Sequence, residues 1–315
     1  MRAVLTDPGL PGAVFLGEAC EPQPAPHEAL VRVTAFSLNR GELNFAKDRL
    51  LGASIGWDVA GTVLQAAADG TGPAADARVV GFVKAATGWA ERVAVPTREL
   101  AAIPDGVDDA DAATLPVAGL TALFALERGE RLLGSRVLIT GATGGVGLFA
   151  VQLANLMGAD VIAQARSDKH AALLREAGAS DVLIDGTGEN LLRHGPYRLI
   201  VDGVGGQLLS KAILTLRPDG IIVIYGITAG FEAVLPAGFM IGTGRGRIEG
   251  FNLYRESEVE AAASGLERLL AFLGRGRLRT YIQVQESWTE VGRIARSLMD
   301  RRFFGKAVLH LGAGH

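Results

Sequence analysis

The sequence predicts an α/β protein in which a mostly-β domain is joined to a domain built on a doubly wound parallel sheet. The first 116 residues contain short β-type runs separated by glycine and proline. A glycine-rich turn at residues 141–147 then follows a β-branched run and precedes a helical pattern. Further apolar runs alternate with helical patterns downstream. Strands that alternate with helices pair in parallel and are covered on both faces, which indicates the doubly wound arrangement.

The N-terminal third is predicted to form a barrel-like β domain. Residues 29–37 alternate between the two faces as a half-buried strand does, and helical signal is scarce. At residues 108–113 the pattern changes to an aspartate-rich helix start, and residues 117–128 continue with helical spacing. We interpret this helical segment as the bridge to the second domain. Three more strands are predicted before it, at residues 61–64, 78–83 and 89–95.

The segment from residue 136 to residue 165 is predicted to be a βαβ unit that binds a dinucleotide. Gly141 allows a tight turn out of the first strand, Gly144 lets the backbone approach a pyrophosphate, and Gly147 lets the following helix pack closely. The N–H groups at the start of that helix attract phosphate. A glycine-rich turn in another kind of α/β protein is the alternative, but the strand-loop-helix-strand frame favours dinucleotide binding.

The residues that follow the second strand of this unit predict NADPH as the dinucleotide. Proteins that prefer NAD usually have an acidic residue about twenty positions past the last glycine. This chain has Arg166 there, followed by Ser167 and Lys169, so the cluster is cationic despite Asp168. A charge-assisted contact with a 2′-phosphate contributes roughly 1.5–3 kcal/mol. The alternative is that Arg166 and Lys169 only cap a solvated helix start.

The rest of the chain is predicted to complete a six-stranded parallel sheet and then return to the first domain. Residues 257–273 have a helical pattern, and residues 274–315 revert to strand, helix and strand. We expect this tail, which ends with a strand-like run at residues 305–310, to fold back onto the first domain. The four further strands of the parallel sheet are expected at residues 181–185, 197–202, 220–226 and 247–252.

The composition is typical of a globular enzyme. Of the 315 residues, 49% are hydrophobic and 21% are charged, and the net charge is -3. Neither nucleic acid nor a membrane is therefore expected as a partner. The single cysteine, Cys20, excludes an intramolecular disulfide and a cysteine-rich zinc site. Because no signal peptide or membrane-length apolar stretch is recognised, a cytoplasmic location is expected.

Six short motifs carry a resemblance that covers nearly the full length. They lie at residues 37–42, 56–61, 115–122, 141–147, 202–206 and 305–306. In order and spacing the chain resembles the zinc-independent quinone oxidoreductase (zeta-crystallin-like) branch of the medium-chain dehydrogenase/reductase superfamily. The resemblance implies a GroES-like catalytic domain, residues 1–117 completed by 268–315, and a Rossmann NADP(H)-binding domain, residues 118–267. It also implies a cofactor between the domains and a homodimer through the edge of the cofactor domain.

By position, the resemblance also implies which residues form the site. Asn39 and Asn44 fall where the family lines the nicotinamide and substrate pocket, and Arg40 is the third candidate catalytic residue. Several quinone reductases have a tyrosine at the position of Asn44, so this chain lacks a tyrosine proton donor at that position. The implied contacts to the cofactor are Gly141, Thr143, Gly144, Gly145, Val146, Gly147, Arg166, Ser167, Lys169, Tyr225, Gly226, Ile227, Phe251, Asn252 and Leu253.

No catalytic metal is expected. Relatives with catalytic zinc have a cysteine near Asn39 and a Gly-His-Glu sequence where this chain has Gly56-Trp57-Asp58, so both ligands are replaced. The histidines are dispersed and show no ligand spacing. They are His27, His170, His194, His310 and His315.

A metal-free site suits hydride transfer to a quinone or an α,β-unsaturated carbonyl, because alcohol oxidation in the zinc relatives uses the metal as a Lewis acid. Hydride added at the electron-poor carbon sends charge to an oxygen that hydrogen-bond donors stabilise. We therefore expect an NADPH-dependent reductase of small-molecule quinones or enones. Two alternatives are an enoyl reductase acting on acyl thioesters, as in polyketide synthases, and a protein that binds NADPH as a structural or regulatory ligand without turnover.

The sequence leaves the roles of individual residues open. Asn39 is either a donor to the acceptor oxygen or a loop asparagine that satisfies local backbone. Arg40 either stabilises an oxyanion or forms a surface ion pair with Glu42, and Trp57 and Phe45 either shape a pocket for a flat substrate or pack in the core. Three other polar residues are expected to be structural or to contact the cofactor rather than act as acid or base: Asp58, Tyr225 and Lys306.

Overall fold

The computed structural model describes residues 1–312 and divides the chain into two compact units. The first unit comprises residues 1–120 and the chain from residue 257 onward, and the second comprises residues 121–256. The second unit has one sheet, the first has a large sheet and a two-stranded one, and each unit has its own buried core.

Fifteen strands and ten α-helices lie within the described residues. The strands are β1 (Arg2–Thr6), β2 (Val14–Glu18), β3 (Glu28–Ser37), β4 (Asp58–Gln65), β5 (Arg78–Phe82), β6 (Arg92–Pro96), β7 (Leu100–Ala102), β8 (Arg136–Ile139), β9 (Asp160–Ala165), β10 (Asp181–Ile184), β11 (Tyr197–Asp202), β12 (Leu216–Ile224), β13 (Arg247–Gly250), β14 (Ile282–Ser287) and β15 (Lys306–His310). The helices are α1 (Arg40–Lys47), α2 (Asp109–Ala113), α3 (Leu120–Glu127), α4 (Gly145–Leu156), α5 (Ala171–Glu176), α6 (Gly206–Ile213), α7 (Ala237–Gly242), α8 (Leu253–Val259), α9 (Ala262–Gly274) and α10 (Val291–Met299).

The first unit is built on a seven-stranded sheet in the order β14-β15-β3-β4-β5-β7, with β6 paired to β3. The strands β3 to β7 pair antiparallel, as alternating half-buried runs predict. The C-terminal tail does return to this sheet, because β15 pairs antiparallel with β3 and places Val308 opposite Ser37. Valines from β3, β4, β5 and β6 fill the interior of the sheet.

The structure adds two details to the pattern expected for this part of the chain. One helix, α1, lies between β3 and β4 in the mostly-β N-terminal third. Its sequence signal is Asn39 followed three residues later by Glu42, a pattern typical of a helix start. The helical pattern at residues 257–273 belongs to two helices, since α8 ends at Val259 and α9 begins at Ala262.

The second unit contains a six-stranded, wholly parallel sheet in the order β10-β9-β8-β11-β12-β13. All six predicted strands are present. All six residues of β11 are buried, as expected for a central strand that is covered on both faces, and Arg198 and Asp202 are buried with the apolar residues between them. The strand order reverses between β8 and β11, and ligands of such sheets bind in the crevice that opens beyond the carboxyl ends of the strands at that point. The chain therefore has the predicted fold class, an antiparallel β domain together with a Rossmann domain.

Candidate functional site

The loop between β8 and α4 is shaped by its glycines. Gly141 has a φ of +60°, a left-handed conformation that glycine adopts without strain. A Cβ on Gly147 would lie 2.5 Å from the carbonyl oxygen of Gly141, so no larger residue fits there without a backbone shift. No side chain caps the start of α4 at Gly144, which leaves that helix end to backbone N–H groups. Such an end is suited to a phosphate group.

Gln164 stabilises this loop and was not recognised from the sequence. Its side-chain Oε1 accepts a hydrogen bond from the backbone N–H of Gly141 at 2.9 Å, and its own carbonyl accepts one from Ala142 at 3.0 Å. Its Nε2 donates to the carbonyl oxygen of Asp185 after β10. The available signal was one amide side chain within an otherwise apolar strand, since a buried polar group needs partners.

Asp202 ties the ends of β8 and β11 together where the strand order reverses. Its Oδ1 accepts a hydrogen bond from the Thr140 hydroxyl at 2.6 Å, and its Oδ2 accepts one from the N–H of Gly205 at 2.9 Å. The Thr140 hydroxyl oxygen in turn accepts from the N–H of Gly203 at 3.0 Å. Burial raises the pKa of Asp202, while the bonds from Thr140 and Gly205 oppose that rise. These contacts fix the two loops that flank the crevice.

The three residues predicted to bind the 2′-phosphate, Arg166, Ser167 and Lys169, are all exposed immediately after β9. Lys169 lies in the single turn Asp168–His170 that precedes α5. Because β8 and β9 are parallel neighbours, this cationic segment and the glycine loop leave the sheet at the same edge.

The other predicted cofactor contacts also follow strands of this sheet. Tyr225, Gly226 and Ile227 come after β12, and Phe251 and Asn252 come after β13. The phenol oxygen of Tyr225 lies over the backbone of the glycine at position 203, where a Cβ would be 2.2 Å from it. Leu253 begins α8 and is buried. All the predicted cofactor residues therefore lie at the carboxyl edge of one sheet.

In the first unit, both the nitrogen and the oxygen of the Asn39 side-chain amide form hydrogen bonds. Its Nδ2 donates to Asp58 Oδ2 at 2.7 Å and to Glu42 Oε2 at 3.2 Å, and its Oδ1 accepts from Lys306 Nζ at 2.5 Å. Arg40 Nη1 donates to the carbonyl oxygens at positions 298 and 299, at the end of α10. Asn44 is exposed on α1.

Glu42, Asp58 and Lys306 form what we call the buried charge cluster. Glu42 and Asp58 are fully buried and Lys306 is 3% exposed. Lys306 Nζ lies 3.4 Å from Asp58 Oδ2, which also accepts from the Ser37 hydroxyl. Asp58 Oδ1 accepts from the N–H of Val117 at 2.9 Å. The expectation that Glu42 forms an ion pair at the surface was wrong, because its side chain is in the interior.

An aromatic pair lies beside this cluster. The rings of Phe45 and Trp57 stack with centroids 6.2 Å apart, and the guanidinium carbon of Arg49 lies 4.8 Å from the centroid of Phe45. Phe45 is 40% exposed, so core packing does not account for it. The exposed side chains of Leu50 and Leu51 follow the same helix. The arrangement is a partly exposed apolar surface with one cation beside it.

The donor atoms near Asn39 do not form a zinc site. The side chains of Asn39 and Trp57 are an amide and an indole, and neither group is a usual zinc ligand. Across residues 1–312, no group of three or more His, Cys, Asp or Glu side chains is arranged to hold a metal ion. Over the same residues, every helix is too short or too polar to cross a membrane.

Several known proteins are similar to this chain in sequence. A family model described as "Zinc-binding dehydrogenase" matches residues 145–268. The "Putative quinone oxidoreductase YhfP" of Bacillus subtilis is 30% identical over 271 residues, which cover 82% of this chain and 81% of that protein. The "Erythronolide synthase EryA2" of Saccharopolyspora erythraea is 34% identical over 235 residues, which are 72% of this chain but 6% of that protein.

Solved structures extend the likeness to nearly the whole chain. The quinone oxidoreductase from Coxiella burnetii has a TM-score of 0.84 at 26% identity, over 99% of both chains. The mycobacterial protein Rv1454c, solved in complex with NADPH, has a TM-score of 0.88 at 24% identity, over 99% of this chain and 100% of that one. The chain therefore belongs to the quinone oxidoreductase branch of the medium-chain dehydrogenase/reductase superfamily.

Proposed function

We propose that this protein uses NADPH to reduce quinones or other α,β-unsaturated carbonyl compounds without a catalytic metal. The observation that carries the proposal is a cationic segment, Arg166 to Lys169, beside a glycine loop in a member of the quinone oxidoreductase branch. The mycobacterial relative that was solved with NADPH supports the same choice of cofactor.

The residues of the second unit fit such a cofactor. Gly147 packs too closely on Gly141 for a side chain to fit between them, which holds the start of α4 against the loop, and the N–H groups at the start of α4 suit a pyrophosphate. Arg166, Ser167 and Lys169 would hold the 2′-phosphate. The loops that begin at Tyr225 and Phe251 would flank the nicotinamide, which supplies hydride when the cofactor is bound.

The residues of the first unit would bind the acceptor and stabilise the charge that develops on its oxygen. We propose that Asn39 and Arg40 position the pocket, because their side chains already bond to the charge cluster and to backbone carbonyls. Asn44, which is exposed on α1, is the candidate donor to the acceptor oxygen. Water would supply the final proton, since a hydroquinone or enolate oxygen takes it up readily.

Stopped-flow measurements of NADPH oxidation test this function. With a quinone acceptor, we expect a primary isotope effect with one of the two cofactors, (4R)- or (4S)-deuterated NADPH. Hydride transfer breaks the bond from C4 of the nicotinamide to only one of its two hydrogens. Absence of NADPH oxidation across a panel of quinones and enones would overturn the proposal. NADPH binding without oxidation would instead support a structural or regulatory role for the cofactor.

A second candidate function is reduction of an enoyl thioester. The "Spectinabilin polyketide synthase system protein NorB" of Streptomyces orinoci favours it, because it is 33% identical over 293 residues, which are 90% of this chain and 13% of that protein. The discriminating arm of the assay is a crotonyl thioester offered in parallel with a naphthoquinone. A kcat/KM at least tenfold higher for the thioester would favour this second function.

The homodimer implied by the resemblance is also a proposal. Light scattering coupled to size-exclusion chromatography tests it, and a mass near that of one chain, 32.9 kDa, would contradict it.

A further inference from the structure

Glu42 joins the two chain segments that carry the aromatic pair Phe45–Trp57. Its Oε1 accepts a hydrogen bond from the backbone N–H of Trp57 at 2.6 Å. Its Oε2 accepts one from the backbone N–H of Asn39 at 2.7 Å. Asn39 precedes α1, the helix that bears Phe45, and Trp57 precedes β4. One carboxylate thus links the helix that carries Phe45 to the segment that carries Trp57.

The charge state of Glu42 depends on its burial and on the charged groups around it. The charged groups that face it are Asp58 and Lys306, so two buried carboxylates share one buried cation. Burial and the charge of Asp58 raise the pKa of Glu42 well above its usual range. The N–H groups of Trp57 and Asn39 and the charge of Lys306 oppose this rise. Protonation would replace one accepting oxygen by a hydroxyl and weaken the link between the two segments.

We propose that Glu42 is a positioning residue for the acceptor: as a carboxylate it holds Phe45 and Trp57 as a surface on which a planar acceptor ring stacks. This inference rests on the proposed function and adds a substrate preference to it. A fused, flat ring such as a naphthoquinone gains stacking area on the pair, whereas an aliphatic enone of similar reactivity does not. Arg49, beside Phe45, adds a cation near the ring that becomes electron-rich on reduction.

The test compares Glu42→Gln with the wild type and with Glu18→Gln, a control on an exposed residue at the end of β2. Glutamine retains the shape of Glu42 but not its charge. We expect the KM for 1,4-naphthoquinone to rise about tenfold, because the substitution weakens the charge-assisted hydrogen bonds that hold the stacking surface. The KM for an aliphatic enone should rise less. The dissociation constant of NADPH should change less than twofold.

The pH profile separates positioning from general damage. In the wild type, KM for naphthoquinone should rise as the pH falls through the ionisation of Glu42, and in Glu42→Gln it should be high and independent of pH on that side. Phe45→Leu should also raise KM but keep the pH dependence. An unchanged KM in Glu42→Gln, or an equal loss of NADPH affinity, would overturn the inference.

A binding measurement distinguishes this inference from the proposed function. Naphthoquinone is added without NADPH, and the quenching of tryptophan fluorescence is measured. The contribution of Trp57 is the difference between each protein and the same protein with the substitution Trp57→Phe. Suppose that no acceptor oxidises NADPH but that the dissociation constant of naphthoquinone, obtained from the quenching, is about tenfold higher in Glu42→Gln. The proposed function then fails and the role of Glu42 stands. Quenching that is absent, or equal in the two proteins, overturns the role of Glu42.

Discussion

Gly147 packs so closely on Gly141 that a Cβ at position 147 would lie 2.5 Å from the carbonyl oxygen of residue 141 and 2.7 Å from the Cα of Ala142. We therefore expect Gly147→Ala to lower the free energy of unfolding by at least about 1–3 kcal/mol, since the neighbouring atoms are backbone and cannot turn aside. NADPH affinity should fall with it. Urea titration and a fluorescence binding assay measure the two effects.

The control for this substitution is Gly186→Ala, because a Cβ at that position meets nothing within 4 Å. It should change the free energy of unfolding by less than about 0.5 kcal/mol. Equal stability of the two variants would show that the close approach at Gly147 does not constrain the loop.

Arg166→Asp tests the choice of cofactor. Arg166 is exposed directly after β9, and its guanidinium would pair with a 2′-phosphate that NADH lacks. We expect NADPH affinity to fall about tenfold or more, and NADH affinity to change little. Arg131→Asp, the same charge change at another exposed position of this unit, is the control. Equal effects on both nucleotides would contradict the assignment of Arg166.

Thr140→Val tests the link between β8 and β11. The substitution preserves shape but removes the hydroxyl that donates to Asp202 and accepts from Gly203. Each buried polar group left without a partner costs about 1–3 kcal/mol, so a clear drop in the free energy of unfolding is expected. Thr62→Val in β4 should be nearly neutral, because Thr62 is only partly buried. A neutral Thr140→Val would mean that water replaces the lost hydroxyl.

Glu99 predicts a pH dependence of stability. Its side chain is 2% exposed and lies 2.9 Å from Lys84 Nζ. Burial raises the pKa of Glu99, and the bond from Lys84 only partly offsets this. Because its pKa is higher in the folded state than in the unfolded chain, the folded state binds the proton more tightly. The stabilisation that comes from this tighter proton binding is complete below the pKa of Glu99 in the unfolded chain, about 4.3. It is lost as the pH rises through the pKa of Glu99 in the folded state.

Glu99→Gln removes this titration. Over the range from about pH 4 to pH 7, the free energy of unfolding of the wild type should therefore decrease relative to that of the variant. Thermal and urea unfolding at matched pH values give the difference. If the two curves stay parallel across the range, Glu99 does not titrate as its burial implies.

The sequence by itself determined much of the architecture and the location of the residues proposed to bind the cofactor. The six strands of the parallel sheet, most strands of the seven-stranded sheet, the turn at Gly141 and the cationic group around Arg166 follow from side-chain periodicity, glycine content and charge. These are properties of neighbouring residues, so they can be recognised without knowing the fold. For the same reason the helix α1 could have been predicted from Asn39 and Glu42, three positions apart.

Only the tertiary structure decided which polar side chains share the interior. Lys306 and Asn39 are 267 positions apart, and they meet because β15 pairs beside β3. No local pattern specifies that pairing, because strand order and register depend on the packing of the whole sheet. The sequence could therefore name Asn39 only as a candidate site residue. Its hydrogen bonds with Asp58 and Lys306, and the burial of Glu42 beside them, arise from contacts between distant segments.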